Sequence, residues 1–267
     1  MRTLTLLMVL MLGLLTAPGE ENSGLTKENG YVINLDRAEK LEKMTYSSLF
    51  SKAGIIVLED TDESLLGKVD KLEVCDNNLY VLEKGRGLFL FNKQGKFIKM
   101  IGRKGKGPGE YIDPGDISVD RENKKIYVLD SQTQNVLKYS SNGTFESSFK
   151  LENKGTRSTF IQPFKNALYT NLYTFDESGK RFLLSKVDVT NGKRISFQFE
   201  ASQYNKGWNE LFSTDQHTFI SGPTGNPKFM QIFMDTIFEI TPKGIKPYIT
   251  CLLYTSPSPR DLTRSRM

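Results

Sequence analysis

Histidine occurs once in this sequence, at His217, tryptophan once, at Trp208, and cysteine twice, at Cys75 and Cys251. One imidazole with no recognisable partners leaves a nucleophilic triad improbable, and no Gly-x-Ser-x-Gly elbow accompanies it. A lone histidine also lacks the companions of a zinc site, so His217 reads first as a structural residue. The cysteines fall in unrelated segments, and the fold owes nothing to a disulfide framework; Cys75 reads as a small buried residue. Long helical periods are missing too. Only residues 36–50 come close, with Leu41, Met44, Leu49 and Phe50 loosely spaced for one face.

No apolar run reaches the roughly 20 residues of a membrane helix. The run Leu4–Leu15 behind Arg2, followed by small residues and then Glu20, Glu21 and Asn22, has the form of an export signal, with cleavage expected after Gly19. Pro18 stands where a bacterial lipoprotein signal needs cysteine, so a lipid anchor is not supported. The expected compartment is the periplasm or cell envelope, with no stable membrane span once the signal is removed.

Basic charge is scarcer than the formal +5 implies. Residues 251–267, CLLYTSPSPRDLTRSRM, abandon the Gly-punctuated pattern of the rest. Cys251 to Asp261 matches, residue for residue, the translation of a sequencing-library transposase adapter, and Ser265-Arg266-Met267 matches its continuation. Native sequence is therefore expected to stop near Thr250, and resequencing the source DNA across that codon tests it: uninterrupted genomic codons would refute the adapter origin. Setting aside Arg2 and the tail's excess of two positive charges leaves +2 on residues 20–250. That balance removes the main reason to expect a nucleic-acid partner.

What remains is rich in strand formers. Aromatics make up 11% of the chain, and Asn-Gly, Lys-Gly and Pro-Gly pairs recur between short Val-, Ile- and Tyr-containing runs. Two stretches align as repeats. Asn78-Leu-Tyr-Val-Leu-Glu83 with Leu88–Ile98 repeats as Lys125-Ile-Tyr-Val-Leu-Asp130 with Val136–Glu146, offset by 47 residues at Tyr80 and Tyr127 and by 48 at Phe97 and Phe145. Each has a short strand before it, 69–74 and 116–119. Two looser copies follow, one from Phe160 to Phe199 and one from Leu211 to Tyr248. Four strands at this period predict the blades of an all-β propeller. Upstream, Gly30–Leu35 and Gly54–Glu59 are strands outside the four units, candidates to complete a last blade whose other strands this chain would lack. An unclosed ring would leave a blade face bare, and poor solubility or association is expected.

Candidate chemistry is sparse. GRKGKGPGEY, Gly102–Tyr111, has the glycines of a phosphate loop but no Gly-Lys-Ser/Thr opening a helix, and Pro108 removes a donor. It reads as a turn. Arg103, Lys104 and Lys106 leave a positive patch open to an anionic contact, and Trp208, in a polar Gly-containing loop, stands between sugar stacking and core packing. Glu83 and Asp130 hold equivalent repeat positions, which fits turn-anchoring acids better than a glycosidase pair. Scattered carboxylates leave calcium sites open.

Taken together, Val57–Leu66, Gly95-Lys-Phe-Ile98, the element Gly105, Gly107, Pro108, Gly109, Glu110 and Tyr111, and Asp235–Ile240 with Gly244–Tyr248 resemble the six-bladed β-propeller family of exported Bacteroidetes proteins, akin in architecture to NHL-repeat propellers. The resemblance implies a ring of which this chain, residues 20–250, holds four blades, truncated at its C-terminus. It implies no reaction and no cofactor. The function expected is an envelope binding or interaction module with a protein or carbohydrate ligand, and the six motif residues are expected to be structural. The alternative is an NHL-like hydrolase or lyase whose calcium-type site the missing blades would complete.

Overall fold

The computed structural model describes residues 30–34, 43–152, 155–172, 179–204, 217–222, 225–231 and 234–252. The chain enters through β1 (Tyr31–Asn34) and a single helical turn, α1 (Tyr46–Leu49). Residues 36–50, only loosely spaced for a helical face, hold among the described residues no more helix than that turn. Blade one follows as β2 (Lys71–Cys75), β3 (Asn78–Glu83), β4 (Gly87–Asn92) and β5 (Phe97–Ile101). The linker holds two short strands, β6 (Arg103–Lys104) and β7 (Glu110–Tyr111). Blade two is β8 (Pro114–Asp120), β9 (Lys125–Asp130), β10 (Asn135–Ser140) and β11 (Phe145–Lys150). Blade three is β12 (Ile161–Phe164), β13 (Ala167–Asn171), β14 (Phe182–Asp188) and β15 (Arg194–Glu200), closed by the turn α2 (Ala201–Tyr204). Blade four is β16 (Phe219–Ile220), β17 (Lys228–Phe229), β18 (Thr236–Thr241) and β19 (Gly244–Leu252).

Each blade is an antiparallel meander with strands in chain order, and the four small sheets are arranged as a four-blade β-propeller. Tight turns between alternating apolar strands leave little else, because antiparallel neighbours need only a few residues to reverse. Each blade carries one register shift between its third and fourth strands, at Leu90/Phe91, Lys138/Tyr139, Lys186/Val187 and Ile237/Phe238. A bulge increases local twist, and its recurrence turns each outer strand in the same sense.

Apolar faces of successive blades meet in three cores. Tyr80, Leu82 and Leu88 of blade one pack with Ile117, Val119 and Ile126 of blade two. Tyr127, Leu129 and Val136 meet Ile161, Leu168 and Val187 of blade three. Tyr169, Leu183 and Leu184 meet Phe229 and Ile240 of blade four. Blade one's opposite face, Leu79, Val81, Phe89 and Phe91, is covered by Leu58 and Leu66.

β1 differs from its sequence reading. It pairs inside this chain, parallel to β19, as the fifth strand of blade four, with Tyr31 opposite Ile249 and Asn34 opposite Leu252. Cys251 and Leu252, the first residues of the adapter-like stretch, lie in that ladder; backbone pairing does not read side chains. Residues 54–59 form no sheet strand.

Candidate functional site

The innermost strands β2, β8, β12 and β16 face the propeller axis, and charged side chains gather there. Asp116 is fully buried at the start of β8. Its Oδ1 accepts from Lys71 Nζ of blade one at 2.8 Å, and its Oδ2 accepts from the Ile161 amide of blade three at 2.8 Å. One carboxylate therefore ties three blades. Beside it, Arg121 Nη2 donates to Glu73 Oε2 at 3.0 Å and to the Val74 carbonyl at 3.1 Å. Burial raises the Glu73 carboxyl, while Lys71 and Arg121 pull the other way.

His217 reaches the same mouth from blade four. Its ring lies 4.8 Å from the Phe160 ring, and burial, then the Lys71 ammonium, lowers its pKa. The imidazole is thus held neutral near pH 7 and can both donate and accept. Between β2 and β16 lies a cavity of about 850 Å³ whose walls include Lys71, Glu73, Arg121, His217, Phe219 and Ile220. Paired charges and an aromatic wall suit a polar ligand with an apolar face.

The Gly-rich loop holds an anion, but the anion is the chain's own. Glu110 Oε2 accepts from the Gly107 amide at 2.8 Å, and its Oε1 accepts from Arg103 Nε at 2.6 Å. The Gly105 amide donates to the Tyr111 carbonyl at 3.1 Å, closing the parallel β6–β7 pair. A Cβ on Gly105 would sit 1.9 Å from Glu110 Oε2, so the carboxylate seats only against glycine. Arg103 is 81% exposed and Glu110 18%, which assigns the hold more to the amide than to the screened ion pair. Below this turn, Tyr111 is buried; its hydroxyl donates to the Ile101 carbonyl at 3.0 Å and accepts from the Leu88 amide at 3.1 Å. Tyr139 donates to the Gly109 carbonyl at 3.1 Å.

The Gly107 amide, then the Arg103 hydrogen bond, lowers the Glu110 pKa. A depressed carboxyl stabilises the fold above the ordinary glutamate value of about 4.3 and loses that contribution as pH falls through the folded value. Glu110→Gln should therefore melt lower than wild type at pH 7, and the gap should narrow as pH drops below 4. Calorimetry across that range checks it; a gap independent of pH would show that the charge plays no part.

The structure does not bring Arg103, Lys104 and Lys106 to the axial cluster; they lie on the linker between blades one and two, and Lys104 is exposed. Trp208 lies outside the described residues, as do the export signal and residues 253–267. Glu83 and Asp130 anchor turns: Gly67 donates to Glu83 Oε2 at 3.3 Å, and Ile112, Gln132 and Thr133 donate to Asp130. Lys71, Glu73, Asp116 and Arg121 were not legible as site residues. The only sign was charge alternating with apolar residues on the short strands at the front of the first two repeats. Among the described residues no group of three or more His, Cys, Asp or Glu is placed to hold a metal ion, and no helix is long and apolar enough to cross a membrane.

Comparison with solved structures carries the fold. A Bacteroides fragilis protein designated as exported aligns with a TM-score of 0.62 at 22% identity, covering 85% of this chain and 60% of its own. The chain thus spans about three fifths of that protein's length. A Bacteroides vulgatus member of the DUF4221 family aligns with a TM-score of 0.42 at 12% identity, over 67% of this chain and 56% of its own. No curated protein matches. Across residues 30–263 the sequence fits the model of a family described as a domain of unknown function, and the chain belongs to that family, DUF4934.

Proposed function

We propose that this chain is the greater part of an exported, six-bladed propeller of the bacterial envelope that binds a hydroxyl-rich ligand, an oligosaccharide, at the mouth of its axial channel. The observation that carries the reading is the convergence of Lys71, Glu73, Arg121 and His217 from three blades on one cavity with Phe219 in its wall. Sugars are held by paired charged donors and acceptors together with an aromatic face. The length of the Bacteroides fragilis relative supports further blades, and its designation supports export. The rival reading is an NHL-like hydrolase or lyase with a calcium-type site.

The single histidine makes its own reporter. In an NMR titration with neutral and acidic bacterial envelope oligosaccharides, a channel ligand should shift the one imidazole signal, and Arg121→Ala should weaken that binding at least tenfold. Binding that leaves the His217 signal in place would move the site elsewhere. Calcium raising the melting temperature would favour the hydrolase, and an envelope protein shifting the signal where sugars do not would replace the ligand class.

A further inference from the structure

Blades two and three carry the same three positions on one face and differ at one of them. In blade two, Tyr127 of β9 stands opposite Lys138 of β10, and the residue skipped by the bulge in β11 is Glu146. Its carboxylate takes the Lys125 ammonium and, at 3.8 Å, that of Lys138. In blade three, Tyr169 of β13 stands opposite Lys186 of β14, and the bulge in β15 skips Ile195. A bulge re-aims the side chain it skips, and here it supplies a hydrocarbon where blade two has an acid. Asp188, two places along from Lys186, turns to its own hairpin, accepting from the Thr190 amide at 2.8 Å and from Asn191 Nδ2 at 3.0 Å. Among the described residues no carboxylate pairs with Lys186, nor with Lys243 of the next blade.

The seam beyond blade three is also open where an earlier one is shut. The third residue of the second strand is tyrosine in blades one, two and three: Tyr80, Tyr127 and Tyr169. Tyr80 donates to the Ser141 carbonyl, in the last hairpin of blade two, at 2.8 Å. Tyr169 is only 6% exposed, yet its hydroxyl makes no hydrogen bond among the described residues. Burial raises its pKa, so it stays a donor at neutral pH. Between it and the last hairpin of blade four lies a cavity of about 420 Å³, walled by Phe164, Tyr169, Lys186 and Ile195 on one side and Pro242 and Lys243 on the other.

We propose that this cavity binds a small organic acid. Its carboxylate would take the place that Glu146 fills in blade two, on the Lys186 ammonium and the Tyr169 hydroxyl, with its apolar body against Ile195, Phe164 and Pro242. Lys243 adds a second positive charge at the rim. A carboxylate suits the place because it answers an unpaired ammonium and an unpaired hydroxyl together, and hydrogen bonds to charged groups are the strong ones. The volume is that of a small-molecule pocket. None of its walls is shared with the axial cavity, so the site stands whether or not a sugar binds there.

Calorimetric titration of the 267-residue chain with phenylacetate, phenylacetamide and acetate tests it, with the His217 imidazole signal followed alongside. Phenylacetate should bind at least about tenfold more tightly than either of the others, since the amide lacks the charge and acetate lacks the apolar body. The His217 signal should stay in place. Lys186→Met should weaken phenylacetate binding by about tenfold or more, and Ile195→Glu, which supplies the acid of blade two from within, should abolish it. Phenylacetamide binding as tightly as phenylacetate would overturn the carboxylate site, and so would no binding of phenylacetate at about 10 mM. Either variant binding like wild type, or phenylacetate displacing the His217 signal, would overturn the placement between blades three and four.

Discussion

Asp116→Ala lowers the free energy of unfolding by about 3–5 kcal/mol, the cost of breaking a buried ion pair by removing one partner. Two groups lose their acceptor at once. The Lys71 ammonium, 16% exposed, is left with Glu73 at 4.0 Å, and the buried Ile161 amide has none. Asp116→Asn should cost less, since an amide oxygen can still take the Ile161 proton but not balance the charge. Lys71→Met combined with Asp116→Asn should recover part of the loss, because the uncompensated ammonium is gone. Urea titration reads all three. A loss below about 1 kcal/mol for the alanine variant would mean that the three-blade tie is not what holds the axis.

Tyr111→Ala should destabilise by about 3–5 kcal/mol, the range for a fully buried aromatic side chain replaced by alanine. Tyr111→Phe separates the two contributions of this residue. It keeps the ring in the core with Tyr80, Leu88 and Tyr139 but strands the Leu88 amide and the Ile101 carbonyl, at about 1–3 kcal/mol. Thermal melting of both variants checks the order; a phenylalanine variant as stable as wild type would reduce the motif tyrosine to a space filler. Because Tyr111 joins blade one's outer strand to the start of blade two, the alanine variant should also loosen the β6–β7 turn.

The repeat was readable because each blade is a local object. Tyr80 and Tyr127 recur at the same place in strands that alternate and turn within a few residues, so the period survives in sequence, and the third and fourth units fall where their looser copies were placed. The turn acids Glu83 and Asp130 were legible for the same reason. GRKGKGPGEY was legible as a linker, though not as a loop whose anion is Glu110, since only the backbone path brings the Gly107 amide to that carboxylate.

Contacts between blades left no such trace. Lys71 and Asp116 are 45 residues apart, as are Asp116 and Ile161, close to one blade period; that spacing gives them like places in successive blades but not contact, which comes only when separate sheets are arranged around an axis. β1 illustrates the limit: a strand pattern predicts extended backbone but does not choose its neighbour, and the ladder with β19 was decided by which edge lay within reach. By itself the sequence determined blades, turns and the strand periodicity that makes them, because those depend on short-range backbone chemistry. Only the tertiary structure decided the axial charge cluster and the cavity beside it, because those depend on where distant strands come to rest.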